Sequence, residues 1–134
     1  VTAFFDTNIL VYAQETGAKA DRARAVLGGG GRLSVQVLNE FTVVVQRKFG
    51  RGWREIAEAI DDALAVSGPP LPLTHDLHVA ARVLAETCKL SFYDALIVAA
   101  AQEAGCEVLY SEDLQHGRSF GTLRVENPFL ENPR

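Results

Sequence analysis

Residues 91–113 read SFYDALIVAAAQEAGCEVLYSED, and the order of elements in that stretch decides the architecture. Ser91 is a small hydroxyl of the kind that caps helices. The run Ala95 to Ala101 behind it is apolar on every side, which fits a helix buried in the middle of a protein rather than one lying on its surface. The helix is expected to run to Ala104 and to end at Gly105. Glu107 to Tyr110 then reads as a short strand, with Asp113 three residues beyond its end.

The same alternation extends to both sides. Val1 to Phe5 is a short apolar strand candidate that stops at Asp6. Helices are expected over Asn8 to Ala13 and Ala18 to Leu27. The break Gly28 to Gly31 reads as a loop and not as a phosphate cradle, because no Lys-Ser/Thr pair follows it. Arg32 to Val35 is expected as a second strand, and Gln36 to Phe49 as a helix ended by Gly50. Trp53 to Val66 is another helix, closed by Ser67-Gly68-Pro69-Pro70. Leu71 to Thr74 is expected as a strand, with Thr74 or Asp76 capping a helix that runs to Cys88. Leu123 to Glu126 supplies the last strand. Strands that alternate with one or two helices imply an α/β fold of three layers, a mainly parallel central sheet flanked by helices. With no repeat and no linker, residues 1–134 are expected to form one domain.

Hydrophobic residues make up 48% of the chain and charged residues 22%, ordinary values for a globular protein. Cys88 and Cys106 lack metal-ligand spacing and sit in apolar surroundings, so two buried reduced thiols are expected. No basic n-region precedes the short apolar start, and Ala95 to Ala101 is far below the length of a membrane span. The expectation is a cytoplasmic protein with no membrane partner. A net charge of −4 argues in bulk against nucleic acid. Of the 17 acidic residues, however, four set aside for a metal site leave 13, equal to the 13 Lys and Arg. Local field, not total charge, decides whether phosphate is attracted.

Four acids stand out by position. In an open α/β sheet, ligands bind beyond the carboxyl ends of the strands. Asp6 follows the first strand directly and Asp113 lies three residues beyond a later one; a helix that follows a strand also begins on that edge, and Asp94 is expected in the first turn of such a helix and Glu40 early in another. Carboxylates gathered at one edge repel unless some stay protonated or a cation sits among them. Hard oxygen donors suit Mg²⁺ or Mn²⁺, and phosphoryl transfer is the chemistry such a site supports best. Each acid also has a plainer reading. Asp6 in Asp6-Thr7-Asn8 fits a helix cap. Glu40 fits a solvated helix face. Asp94 fits a capping box with Ser91, and Glu112-Asp113 fits a polar turn before Gly117. The expected common location of the four is what favours a site.

At these residues the chain resembles the PIN-domain family, and within it the VapC-type toxins of bacterial toxin–antitoxin pairs. The matching stretches are Phe5-Asp6-Thr7-Asn8, Ser34-Val35-Gln36-Val37-Leu38-Asn39-Glu40-Phe41, Leu90-Ser91-Phe92-Tyr93-Asp94-Ala95-Leu96-Ile97, Tyr110-Ser111-Glu112-Asp113-Leu114 and Asn127-Pro128-Phe129. They occur in family order along nearly the whole chain. The resemblance implies a parallel-sheet nuclease fold, RNA cleavage dependent on Mg²⁺ or Mn²⁺ (one or two ions), homodimers, and inhibition by a small antitoxin. It carries the metal and catalytic roles onto Asp6, Glu40, Asp94 and Asp113. Asn8 becomes a polar residue orienting the site, Ser111 the small hydroxyl before the last acid, and Glu112 a neighbour able to share or replace the role of Asp113. Apolar surface on the helix pair from Phe41 to Val66 adds to the expectation of a dimer.

Arg47, Lys48, Arg51 and Arg54 cluster around Trp53. The first reading is a solvated helix–loop–helix corner; the others are a rim that grips phosphates or an antitoxin contact. His75, His78 and His116 lack ligand spacing with one another, and only His116 lies near an acid of interest. Two other functions compete with nuclease. A metal-dependent phosphatase or receiver-like domain also places acids at strand ends, but Asp6-Thr7-Asn8 lacks the second acid of a D-x-D pattern. A non-catalytic RNA-binding or interaction module would favour basic and aromatic residues, and aromatics are only 8% here.

Overall fold

The computed structural model describes residues 2–130. Val1, the first residue of the expected first strand, and residues 131–134 of the expected domain lie outside the described residues. In chain order the elements are β1 (Ala3–Phe5), α1 (Thr7–Tyr12), α2 (Ala18–Gly28), α3 (Val35–Phe49), α4 (Trp53–Ser67), α5 (His75–Cys88), α6 (Phe92–Glu103), β2 (Val108–Tyr110), β3 (Ser119–Phe120) and β4 (Leu123–Glu126). The sheet order is β1-β2-β4-β3. β1 pairs with β2 and β2 with β4 in parallel; only β3 runs antiparallel, against β4.

Why helices cover this sheet follows from its side chains. All three residues of β1 are buried, although successive side chains point to opposite faces, so both faces of the sheet are covered at β1. β4 alternates buried Leu123 and Val125 with exposed Arg124, so it is covered on one face only. α6 fits its all-round apolar sequence: every residue from Ala95 to Ala101 is buried. α5 packs against it closely, and most buried apolar side chains of the described residues join in one connected core. Local chemistry fixes the helix ends. Ser34, Thr74 and Ser91 accept hydrogen bonds from the N–H groups of Val37, Leu77 and Asp94, and Gly50 closes α3 in the left-handed conformation at φ 63°.

Two expected strands do not form. Arg32 to Val35 and Leu71 to Thr74 each make only isolated parallel bridges, Phe4 with Arg32 and Ser34 with Leu71. The segments do lie beside the sheet: Arg32 N–H donates to Ala3 carbonyl at 2.8 Å and Leu71 N–H to Leu33 carbonyl at 2.9 Å. Capping cuts them short. Ser34 already caps α3 and Thr74 already caps α5, while Pro70 and Pro72 on either side of Leu71 have no N–H for a ladder. One strand was not foreseen. β3 pairs with β4 across the two-residue turn Gly121-Thr122, with Gly121 at φ 63°. Both cysteines are free, Cys106 buried and Cys88 partly so. No helix among the described residues is long and apolar enough to cross a membrane.

Gly31 is the position in the four-glycine break where size is decisive. A Cβ there would stand 2.5 Å from the Phe5 ring and 2.8 Å from the Ala3 carbonyl oxygen. Phe5 is only 1% exposed and the second obstacle is backbone, so neither can yield cheaply. Gly31→Ala is therefore expected to destabilise the protein by about 1–3 kcal/mol, read from urea melts. Gly30→Ala would not test this, since its own φ of 86° is strained for any side chain. A Gly31→Ala protein as stable as wild type would contradict this close approach of β1.

Candidate active site

The parallel pairing sets the site. β1 and β2 end side by side, Phe5 opposite Tyr110, so the residues that follow them meet. Ser111 is fully buried there, and its hydroxyl donates to Asp6 Oδ2 at 2.6 Å. Ser111 Oγ in turn accepts the N–H groups of Asp113 at 3.1 Å and Leu114 at 3.3 Å. One hydroxyl thus fixes the first acid and the loop that carries the last. Asp6 is itself only 3% exposed and caps α1, with Oδ1 accepting the Thr7 N–H at 2.7 Å.

Asn8 stands between two carboxylates. Its Nδ2 lies 3.5 Å from Asp6 Oδ2 and 3.2 Å from Asp113 Oδ2, and its Oδ1 accepts the Glu112 N–H at 3.2 Å, which fixes which end of the amide faces the acids. Glu40 joins from α3. Its Oε1 accepts the Thr7 hydroxyl at 2.8 Å and its Oε2 accepts Gln36 Nε2 at 2.7 Å. Thr7 therefore links Asp6 to Glu40 as Ser111 links Asp6 to Asp113. Asp94 reaches the same cleft, a concavity of about 740 Å³ lined also by Asn8, Glu40, Glu112 and Asp113. α6 leads into β2 and follows α5 rather than a strand. Its first turn thus reaches the carboxyl edge because the helix runs back along the strand it precedes.

The plainer readings separate at this point. The Asp6 cap is present, but it takes one carboxylate oxygen only. Glu40 is half-buried and doubly hydrogen-bonded rather than solvated. Half of the capping box at Asp94 forms: Ser91 Oγ accepts the Asp94 N–H at 3.3 Å, and among the described residues the Asp94 carboxylate has no hydrogen-bond partner. Glu112 lines the cleft with both oxygens engaged, by the Tyr12 hydroxyl at 2.7 Å and by Lys19 Nζ at 2.5 Å. Burial works against its charge, but those two bonds and the Lys19 charge outweigh it and hold its pKa below the usual value. His116 is exposed, its Nδ1 accepting the Asn127 N–H at 3.0 Å.

Three positioning residues escape the sequence reading: Thr7, Gln36 and Tyr12. Gln36 carried a signal, since it lies four residues before Glu40 on one helix face. Thr7 adjoins Asp6, but nothing in the sequence shows that its hydroxyl reaches another element. Tyr12 meets Glu112 from 100 residues away.

The electrostatics are unfavourable to charge. Burial, above all, raises the Asp6 pKa from 3.8 to about 7; hydrogen bonds from Ser111 and Thr7 pull it down, and the charges of Asp113 and Glu40 push it up. A carboxylate so placed calls for a proton or a cation. Among the described residues no group of three or more His, Cys, Asp or Glu stands close enough to hold one ion together. Mg²⁺ keeps several waters and binds through one or two carboxylates, so such a group is not a requirement for it. The donor set is all oxygen, and the Asn8 amide donor lies between the Asp6 and Asp113 carboxylates, where positive charge is favoured. The residues present therefore fit a hydrated hard cation.

Comparisons agree with the architecture. A toxin–antitoxin complex from Klebsiella pneumoniae contains a chain similar to this one, with 22% identity, a TM-score of 0.70, and coverage of 96% of this chain and 98% of that one. VapC20 of Mycobacterium tuberculosis, described as a Sarcin-Ricin loop cleaving toxin, is similar at 22% identity and a TM-score of 0.66, covering 84% and 90%. VapBC2 from Rickettsia felis, bound to a fragment of its promoter DNA, is similar at 17% identity and a TM-score of 0.66, covering 95% and 98%. No curated protein sequence matches the chain. The PIN domain model matches residues 3–118, most of the chain and all four acids, so the chain belongs to the PIN domain family.

Proposed function

We propose that this chain is a metal-dependent endoribonuclease that hydrolyses RNA phosphodiester bonds, and that it acts in the cytoplasm as the toxin of a toxin–antitoxin pair. The observation that carries the reading is the convergence of Asp6, Glu40, Asp94 and Asp113 on one edge of the sheet, around a buried acid whose charge lacks compensation. The four would hold one or two hydrated Mg²⁺ or Mn²⁺ ions, with no more than two carboxylates to an ion, Asp6 and Asp113 from the strand ends and Glu40 and Asp94 across the cleft. A bound divalent ion would supply the Lewis acidity that phosphodiester hydrolysis needs. Ser111 and Asn8 orient Asp6 and Asp113, and Thr7 and Gln36 hold Glu40, so the carboxylates are placed before any ligand arrives. Glu112 serves as an anchor of the loop through Tyr12 and Lys19, and gives no free oxygen to the site as it stands.

Similar chains from a toxin–antitoxin complex and from an RNA-cleaving toxin support the biological role. A small antitoxin and a second copy of the chain are the protein partners proposed. Growth tests the toxin role. Induced expression in a bacterial host should arrest growth, Asp113→Asn should not, and co-expression of a short neighbouring reading frame encoding the antitoxin should restore it. Unimpaired growth at high wild-type expression would overturn the toxin assignment.

A further inference from the structure

Lys48 belongs to two places. It lines the cleft that holds Glu40 and Asp113, and it is one of four cations, Arg47, Lys48, Arg51 and Arg54, that turn the corner between α3 and α4. Trp53, between Arg51 and Arg54 in sequence, is 69% exposed, the most exposed large hydrophobic side chain of the described residues. Two of the cations have acidic neighbours: Lys48 pairs with the half-buried Glu15 at 3.4 Å and Arg54 with the exposed Glu58 at 3.5 Å. Such pairs contribute little in water and exchange partners readily. Arg47 is exposed, and neither it nor Arg51 has a carboxylate within ion-pair distance among the described residues. Arg51 instead reaches Gln14 Oε1 at 3.5 Å and lies over the Phe49 ring.

A solvated corner accounts for the charges and leaves the indole unexplained. A flat apolar ring held in water, with guanidinium groups on both sides in sequence, matches what single-stranded nucleic acid requires. Cations follow the phosphates, and an aromatic face stacks a base of any identity. The need is local, because the cleft itself is lined by acids and the chain carries a net charge of −4. We infer that the α3–α4 corner is a second RNA subsite. It takes the single-stranded segment flanking the nucleotide in the cleft, with the strand passing over Lys48, a base stacked on Trp53, and phosphates on Arg47, Arg51 and Arg54. This rests on the RNA-cleaving reading of the cleft for its biological meaning, and the binding itself can be measured without cleavage.

Trp53 is the chain's one tryptophan, so tryptophan emission, excited beyond the tyrosine absorption band, reports on this corner alone. With EDTA present to prevent cleavage, a single-stranded oligouridylate about a dozen nucleotides long should quench the emission and a dinucleotide should not. Affinity should fall steeply with salt. The double variant Arg47→Ala/Arg51→Ala should weaken binding at least about tenfold. In cleavage assays with metal, Trp53→Ala should raise KM for long RNA and leave kcat and the cleavage of very short RNA unchanged. Quenching without any cleavage would support the subsite while refuting the nuclease reading. Normal cleavage with no quenching, or an unchanged KM in Trp53→Ala, would overturn the subsite alone. An emission that shifts with protein concentration and ignores RNA would assign the corner to a second copy and also overturn it.

Discussion

Asp6→Asn is expected to make the metal-free protein progressively more stable than wild type as pH rises, and to abolish RNA cleavage. In the wild type, burial holds the Asp6 pKa at about 7 against 3.8 unfolded. Because the folded value is the higher one, the folded state binds the proton more tightly. Its stabilising effect is complete below pH 3.8 and is lost as pH rises through about 7. The difference corresponds to at most about 4 kcal/mol. Asn cannot ionise and still offers an acceptor for the Thr7 N–H, so that loss should disappear. Urea melts of both proteins at pH 4 and pH 8, with chelator present, read the effect: the gap should open by a few kcal/mol between the two. Parallel pH profiles would mean that Asp6 is charged without strain in the empty fold.

Asp94→Asn separates a ligand from a cap more sharply. The cap of α6 is Ser91, which accepts the Asp94 backbone N–H and does not need the carboxylate. The carboxylate makes no hydrogen bond among the described residues and faces the cleft. Stability should therefore change by no more than about 0.5 kcal/mol. Activity should fall at least about a hundredfold, since even residues that merely support metal ligands cost about 10–100-fold when removed. Asp76→Asn is the control, an exposed acid in the first turn of α5 and outside the cleft. It should leave the cleavage rate unchanged. If Asp94→Asn cut RNA at the wild-type rate, Asp94 would be a surface residue of α6 and no ligand.

Much of the fold was legible because local signals and tertiary demands agreed. The apolar run Ala95 to Ala101 could only be central, and Ser34, Thr74, Ser91 and Gly50 mark helix ends where the structure has them. The expected strands over 32–35 and 71–74 failed because the sequence shows β propensity but not the competition for Ser34 and Thr74 as caps. β3 was missed because two residues carry no alternation to detect. For the acids, the sequence placed Asp6 and Asp113 after strands and Glu40 and Asp94 early in helices, and the fold puts all four around one cleft or directly beneath it. What it could not show was the wiring: Ser111 and Thr7 each bond across elements far apart in the chain, and Tyr12 ties down Glu112. Hydrogen bonds of that kind leave no periodicity. Gly31 is similar, since only the packed structure shows the Phe5 ring against it.

Cleavage of a single-stranded RNA by the wild-type chain, followed as free Mn²⁺ is raised from a chelated start, tests the central claim most directly. An Asp113→Asn sample from the same preparation route controls for contaminating nuclease. The wild type should not cleave in chelator, its rate should rise and saturate with Mn²⁺, and Asp113→Asn should give a flat baseline. A wild-type rate undiminished by chelator, or an Asp113→Asn protein that responds to Mn²⁺ as wild type does, would contradict it.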